Sequence, residues 1–173
     1  MIKTYVIDTN VLIQAPYAIE CFEENNLVLP LVVLEELDGL KKAEGEKGAN
    51  ARAAVRKLES YRQKGDLLQG VKLPGGGILR IEKNFVQVEL PQDIPDDKPD
   101  NRILKVCKGL AETEKEGQVI LVTKDIVLRL KAQILGIRAE DFERERISED
   151  DAQYTGRTEV YFPEDKVKEF KKK

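Results

Sequence analysis

A continuous apolar strand is the feature that most constrains the fold of this chain. The segment "QVILVTKD" (118–125) has four apolar residues in a row, which is typical of a strand buried on both faces of a parallel sheet. Helical patterns lie on either side of it, at 100–117 and at 126–136. A parallel sheet needs helices over both faces, so the sequence predicts an α/β protein with three α/β/α layers and a mostly parallel central sheet.

The rest of the chain continues this alternation as far as Phe142. The other predicted elements are a strand at 4–8, a helix at 10–25 interrupted near Pro16, a strand from Asn26 that becomes a helix near Val33, a helix at 49–65, two short strands in a hairpin or one long bent strand within 75–90, a loop at 91–100 and a weaker strand at 137–142. Beyond Arg144 the composition becomes strongly charged. We therefore predict one domain at 1–143 and a linker or C-terminal extension at 144–173.

Composition sets limits on the class of protein. With 41% hydrophobic and 35% charged residues, the chain has a globular composition, and no apolar run is long enough to cross a membrane. Its strand-like beginning does not resemble a signal peptide, so the sequence predicts a cytoplasmic protein without membrane contact. Cys21 and Cys107 have no partner at metal-ligand spacing and are interpreted as small buried hydrophobic residues.

The chain contains no histidine, and this excludes several kinds of chemistry. Ser-His-Asp and Cys-His catalysis are ruled out, as is every zinc site with a histidine ligand. Catalysis would have to use carboxylates, hydroxyls and lysines. The net charge of −3 does not favour general affinity for nucleic acid, so any nucleic acid would have to bind at a local basic patch.

Four acidic residues lie where predicted strands end or the following helices begin. They are Asp8, Glu36, Asp100 and Asp125. Because the carboxyl ends of parallel strands share one edge of a sheet, we expect these four side chains to converge. Each also has a structural interpretation: Asp100 and Asp125 as helix N-caps, Asp8 as a turn residue and Glu36 as a solvated helix residue.

The four acids together predict a metal site. Two like charges ~5 Å apart repel by roughly 3 kcal/mol at an effective dielectric constant near 20, so a cluster of acids needs a cation or raised pKa values. Oxygen ligands without histidine or cysteine favour Mg²⁺ or Mn²⁺. Such an ion can activate water and stabilise the charge of a phosphoryl displacement, which is the chemistry of a nuclease.

Four segments also resemble the signature segments of the PIN-domain ribonucleases, in the same order. They are "VIDTNVLI", "LVVLEELDGLKK", "DNRIL" and "LVTKDIVLRLKA". The resemblance covers about residues 2 to 142 and implies a metal-dependent endonuclease of single-stranded RNA. It makes Asp8, Glu36, Asp100 and Asp125 the metal-site acids and Thr9, Asn10, Asn101 and Thr123 their polar supports. Many family members have a second acid where Asn101 stands, which leaves one or two metal ions open.

The segments "VVLEELDGLKK" and "YTGRTEVYF" more closely resemble the PIN domain at the N-terminus of PhoH-like proteins, where an RNA-helicase-like ATPase follows. This chain has no G-x-x-x-x-G-K-[ST] phosphate loop, so an ATPase partner would lie in a longer chain. Two alternatives stay open: a catalytically weak PIN domain that binds RNA or assembles with such an ATPase, and a toxin-type nuclease. The family also forms homo-oligomers, and the helix at 10–25 is either an interface or part of the core.

Basic residues near the acids in sequence are the candidate RNA contacts. They are Lys41, Lys42, Arg52, Arg56, Arg102 and Lys124. Contacts of this kind with phosphates would position a strand without reading its sequence. The alternative interpretation of each one is a solvated charged surface.

Overall fold

The computed structural model describes residues 2–83, 85, 87–95, 97–113 and 118–142. Six strands are present in this part: β1 (Thr4–Ile7), β2 (Asn26–Pro30), β3 (Val71–Lys72), β4 (Ile78–Glu82), β5 (Val119–Val122) and β6 (Arg138–Glu140). The helices are α1 (Thr9–Gln14), α2 (Leu31–Leu40), α3 (Gly45–Arg62), α4 (Pro99–Thr113) and α5 (Ile126–Ile134), with a 3₁₀ helix at Pro16–Glu20.

The six strands form one sheet in the order β3-β4-β2-β1-β5-β6. Only β3 is antiparallel to its neighbour; the other four pairings are parallel. In the central pair, Ile7 of β1 lies opposite Val122 of β5. The helices cover both faces of the sheet, which confirms the predicted α/β/α class.

The core is centred on β1, β2 and β5. All four residues of β5 are buried, as the apolar run predicted. On the first helix, the apolar stripe of Val11, Leu12 and Ile13 is buried as well. That stripe is therefore part of the core, and the alternative in which it forms an interface is not supported.

Several boundaries differ from the sequence predictions. Of segment 75–90 only β4 is a strand among its described residues, and its antiparallel partner is β3, which precedes it in the chain. The predicted hairpin within 75–90 was wrong because β4 pairs with strands outside that segment. The predicted interruption of the helix at 10–25 near Pro16 is confirmed: the segment divides into α1 and a 3₁₀ helix that begins at Pro16, since proline removes a backbone donor.

The two cysteines differ in burial. Cys107 is fully buried in α4, whereas Cys21 is only partly buried, so the prediction for Cys21 was wrong. Cys21 follows the 3₁₀ helix and lies at its C-terminal end, where the chain returns to the surface.

The chain divides after Asp141 into two units, Met1–Asp141 and Phe142–Lys173. The six strands and five α-helices all belong to the first unit. The predicted extension at 144–173 lies outside the described residues, and its boundary stays a prediction. No helix in the described ranges combines the length and apolar character needed to cross a bilayer.

Candidate active site

Asp8 lies between the ends of the two central strands. Its backbone amide donates to the carbonyl of Val122 at 3.0 Å, which continues the pairing of β1 with β5. The hydroxyl of Thr123 donates to Asp8 Oδ2 at 2.8 Å. Asp8 is only 3% exposed, and Thr123 is fully buried. The Asp8 carboxyl group is therefore buried at the C-terminal ends of the parallel strands.

This environment raises the pKa of Asp8 to about 6. Burial is the main cause, because it disfavours the charged form. The negative charges of Asp100 and Glu36 raise the pKa further, whereas hydrogen bonds from Thr123 and from the backbone of Thr9 lower it. Two of the predicted acids, Glu36 and Asp100, thus influence Asp8 electrostatically, and a cation would stabilise the charged form of Asp8.

Glu36 is held near Asp8 by the first residue of α1. The hydroxyl of the buried Thr9 donates to Glu36 Oε1, which links the β1–α1 junction to the second turn of α2. Asp100 lies in the first turn of α4 and is partly exposed. Asn10 is exposed, and among the described residues its side chain makes no hydrogen bond, in contrast to the predicted support of the acids.

Asp125 is the N-cap of α5. Its Oδ1 accepts from the amides of Val127 at 2.9 Å and Leu128 at 3.3 Å, so the capping interpretation of this residue is confirmed. Its own amide donates to the Thr123 hydroxyl at 3.1 Å. One threonine hydroxyl therefore connects Asp125 to Asp8.

Asn101 is a buried structural link. Its side-chain amide donates to the carbonyl of Pro95 at 2.6 Å, and its Oδ1 accepts from Lys131 Nζ at 3.0 Å. It is 1% exposed. The oxygen that an acid would offer to a second metal ion at this position is therefore bound to a lysine of α5.

Two basic residues of α5 were missed by the sequence analysis. Besides Lys131, Arg129 reaches this region, and its Nη1 donates to the carbonyl of Thr123 at 3.0 Å. Both lie within two turns of Asp125 on the same helix. For Arg129, helical spacing from a site acid was the available signal, because residues four apart on a helix lie on one face.

The oxygen donors of this edge fit a hard divalent cation in their chemistry. In the part of the chain that the structure describes, however, no three acidic or cysteine side chains stand together as a ligand set. Asp8, Glu36 and Asp100 would hold such an ion only if their side chains moved closer together. The charges of Glu36 and Asp100 therefore act on Asp8, but the acids do not form one ligand set in the described part of the chain.

The six candidate RNA contacts differ in their exposure and in their partners. Lys41 pairs with Asp38 at 2.7 Å, and Lys124 pairs with Asp141 at 3.4 Å. Arg52 donates to the carbonyl of Lys41 at 2.7 Å and so holds the turn after α2. Of the other three residues, Lys42 and Arg56 are exposed and Arg102 is partly buried.

Comparisons with known proteins agree on one family. Residues 5–143 match the PIN domain family. The protein PhoH2 of Bacillus subtilis is 47% identical over 166 residues, which are 93% of this chain and 38% of that protein. Protein PhoH2 of Mycolicibacterium smegmatis is 38% identical over 162 residues, 92% of this chain and 36% of that protein. The chain thus spans less than two fifths of the length of these relatives.

Among solved structures, the T. brucei RRP44 PIN domain superposes with a TM-score of 0.53 at 13% identity, over 90% of this chain and 85% of that one. At this identity the likeness shows the fold alone. The family match covers most of the chain and agrees with both the relatives and the fold. This chain therefore belongs to the PIN domain family and has its nuclease-like fold.

Proposed function

We propose that this protein is a divalent-metal-dependent endoribonuclease that hydrolyses phosphodiester bonds of single-stranded RNA. The observation that carries the proposal is the buried Asp8 at the end of β1, influenced by the charges of Glu36 and Asp100. A protein gains no stability from leaving such a carboxylate beside two other acids. The arrangement is understandable if a cation and a phosphate bind there.

Asp8, Glu36, Asp100 and Asp125 would hold the ion, which we propose to be Mg²⁺ or Mn²⁺. When bound, such an ion supplies an activated water and stabilises charge on the phosphoryl oxygens. Thr123 and Thr9 orient two of the acids through their hydroxyls, as outer hydrogen-bond partners do in metal sites. Because Lys131 donates a hydrogen bond to the side-chain oxygen of Asn101, we propose that the site holds one ion.

RNA would approach over the carboxyl edge of the sheet. The exposed members of the proposed basic patch are Lys42, Arg52, Arg56 and Lys124, whereas Lys41 and Arg102 are partly buried. Their contacts would be to phosphates, so we expect little sequence preference from them. Lys41→Glu/Lys42→Glu should weaken RNA binding and reduce its salt dependence.

The direct test is cleavage of a labelled single-stranded RNA with Mg²⁺, with Mn²⁺ and with a chelator. Asp8→Asn removes the charge of the central acid, and Asp38→Asn is its matched control because Asp38 is an exposed acid of α2. We expect metal-dependent cleavage by the parent and by Asp38→Asn, and none by Asp8→Asn. Cleavage that persists in the chelator, or in Asp8→Asn, would contradict the proposal.

One observation favours a second candidate, an RNA-binding or assembly module of a PhoH-like ATPase in a longer chain. Helix α5 exposes four large apolar residues beside the site: Ile126, Val127, Leu130 and Ile134. An apolar surface of this kind on a soluble domain often marks a contact with another protein or domain. A folded protein that binds Mg²⁺ and RNA without cutting the RNA would favour this candidate.

A further inference from the structure

A groove lies at the same edge of the sheet as the carboxylates. It has a volume of about 630 Å³, within the range of roughly 300–1,000 Å³ typical of small-molecule sites. Its walls come from the start of α2, the turn before β3, the end of β4 and the segment that follows β4. None of the residues proposed for catalysis lines it.

The register of the sheet gives the distance between the groove and Asp8. Val6 pairs with Val28, and Val28 pairs with Arg80, so the row two residues further along contains Asp8, Pro30 and Glu82. Glu82 lines the groove, and Leu31, which follows Pro30, lines it as well. Neighbouring strands are about 4.8 Å apart, so the groove begins ~10 Å from Asp8. An extended nucleic-acid strand covers this distance in a few nucleotides.

The groove combines apolar walls with amide groups. Leu31, Leu68 and Ile81 provide aliphatic surface, and Leu68 is 57% exposed. Gln69 and Gln87 are exposed and carry side-chain amides, which both donate and accept hydrogen bonds. Glutamine amides match the donor and acceptor pattern of nucleobase edges. A flat, partly polar heterocycle suits these walls better than a phosphate or a purely aliphatic chain.

Phe85 provides the aromatic ring of the groove. It has a φ of 52°, a left-handed conformation that is uncommon for an aromatic residue. Its ring rests against Gly109 of α4, where an added Cβ would lie 2.3 Å from Phe85 Cδ1. The backbone of a bulky residue is strained in this conformation, and such strain is concentrated at functional sites. Gly109 thus leaves room for the ring against α4, and Phe85 is also one of the residues that line the groove.

We propose that this groove is a nucleobase-binding subsite, in which Phe85 stacks against an unpaired base of the RNA while its phosphate backbone runs over the carboxylates. The proposal rests on the proposed ribonuclease function and assigns its substrate contact outside the acids. Stacking on an aromatic residue tolerates all bases, because each base has an aromatic face. The amides of Gln69 and Gln87 would add a preference among them.

The test uses single-stranded RNA oligomers that carry 2-aminopurine, a fluorescent base, at one position each. Binding is measured with Mg²⁺ in the Asp8→Asn background, which we expect to leave the RNA uncut. A base stacked on Phe85 should change its fluorescence at one or two positions. Phe85→Ala should abolish that change and weaken binding about tenfold, whereas Phe85→Tyr should preserve both.

An abasic nucleotide at the reporting position separates stacking from a structural effect. It should weaken binding to the Asp8→Asn protein about as much as Phe85→Ala does, and it should cause little further loss in the double variant with Phe85→Ala. Tyr17→Ala, which removes an exposed aromatic residue that does not line the groove, is the matched control. If Phe85→Ala fails to fold, Leu68→Ser and Gln87→Ala test the same walls through exposed side chains.

The outcomes separate the two proposals. If the parent cuts RNA but Phe85→Ala, Leu68→Ser and Gln87→Ala all bind and cut like the parent, the groove proposal is overturned and the ribonuclease proposal stands. If 2-aminopurine reports stacking that depends on Phe85 but no metal supports cutting, the nuclease proposal fails instead. If an apolar peptide binds the groove strongly and RNA does not displace it, the base-binding assignment is overturned as well.

Discussion

Two strand-to-helix junctions lie side by side in this domain, and each contains an aspartate. At the β5–α5 junction, Asp125 caps its helix with two hydrogen bonds from backbone amides. At the β1–α1 junction, Asp8 occupies the corresponding N-cap position but makes no such capping bond from its side chain. Its carboxyl group is instead buried, accepts from Thr123 and has its pKa raised to about 6.

The difference shows that an aspartate at a helix N-cap position can either stabilise or destabilise the folded protein. A capping aspartate stabilises its helix by about 1 kcal/mol. A buried aspartate beside other acids costs free energy at neutral pH, because its charged form is disfavoured. Asp125 therefore has a structural role that accounts for its position, whereas Asp8 does not. In our account, the role of Asp8 is to bind a cation.

The largest expected effect is on RNA cleavage. Asp8→Asn should reduce the rate by at least ~100-fold, and Asp125→Asn by about tenfold, because one oxygen of Asp125 is already bound to the helix amides. Asparagine keeps a cap at position 125, so any loss there reports on the site rather than on folding. Rates of single-turnover cleavage with Mg²⁺ measure the difference. Equal losses in the two variants would remove the contrast between the junctions.

A stability measurement tests the cost of the buried charge. The pKa of Asp8 is raised from 3.8 to about 6 in the folded state. At 1.36 kcal/mol per pH unit, this shift lowers the free energy of unfolding at neutral pH by roughly 3 kcal/mol. Because the folded state binds this proton more tightly, the contribution of Asp8 to stability is present below about pH 4 and is lost as the pH rises through 6. In a chelator at pH 7, Asp8→Asn should therefore be more stable than the parent.

Urea unfolding from pH 4 to pH 7 measures this difference. The free energy of unfolding of Asp8→Asn should rise relative to the parent across that range, whereas the exposed control Asp38→Asn should show no such relative rise. A parent protein that is more stable than Asp8→Asn at pH 7 without metal would contradict the account.

Thr123 connects the two junctions, and its removal should have an intermediate effect. Thr123→Val eliminates the donor to Asp8 and the acceptor for the amide of Asp125, at a cost of about 1–2 kcal/mol. It should also raise the pKa of Asp8 further, since this hydrogen bond lowers it. Thr123→Ser keeps the hydroxyl and should behave like the parent. Thermal unfolding of both variants decides whether the hydroxyl or the methyl group matters.

The smallest expected effect comes from the cap itself. Asp125→Ala should lower stability by about 1 kcal/mol, or roughly 2–4 °C in melting temperature, because two amides lose their acceptor. Asp125→Ser should recover most of that loss. A melting temperature unchanged in Asp125→Ala would mean that water caps this helix equally well.

Much of the fold could be predicted from the sequence because its signals are local. The burial of β5 follows from an apolar run, and the break at Pro16 follows from a missing donor. The two-residue strand β3 was missed because it exists only through its pairing with β4. A strand this short has no periodicity of its own.

The candidate site was predictable only in part. The positions of the acids follow from strand ends, and the cap formed by Asp125 was one of the two interpretations considered. The contact of Thr9 with Glu36 joins residues 27 apart, and that of Lys131 with Asn101 joins residues 30 apart. No pattern in the sequence brings such pairs together. The groove beside Phe85 was missed for the same reason, since separate segments form its walls.

NMR titration of the Asp8 carboxyl group shows directly whether this junction is built to bind a cation. The aspartate side chains are labelled with carbon-13, and the Asp8 signal is assigned as the one missing from the spectrum of Asp8→Asn. Without metal, we predict a midpoint near pH 6. Saturating Mg²⁺ should move that midpoint well below 6, because a cation favours the charged carboxylate. A midpoint near 4 without metal, or one that Mg²⁺ leaves unchanged, would contradict the claim that this junction is built to bind a cation.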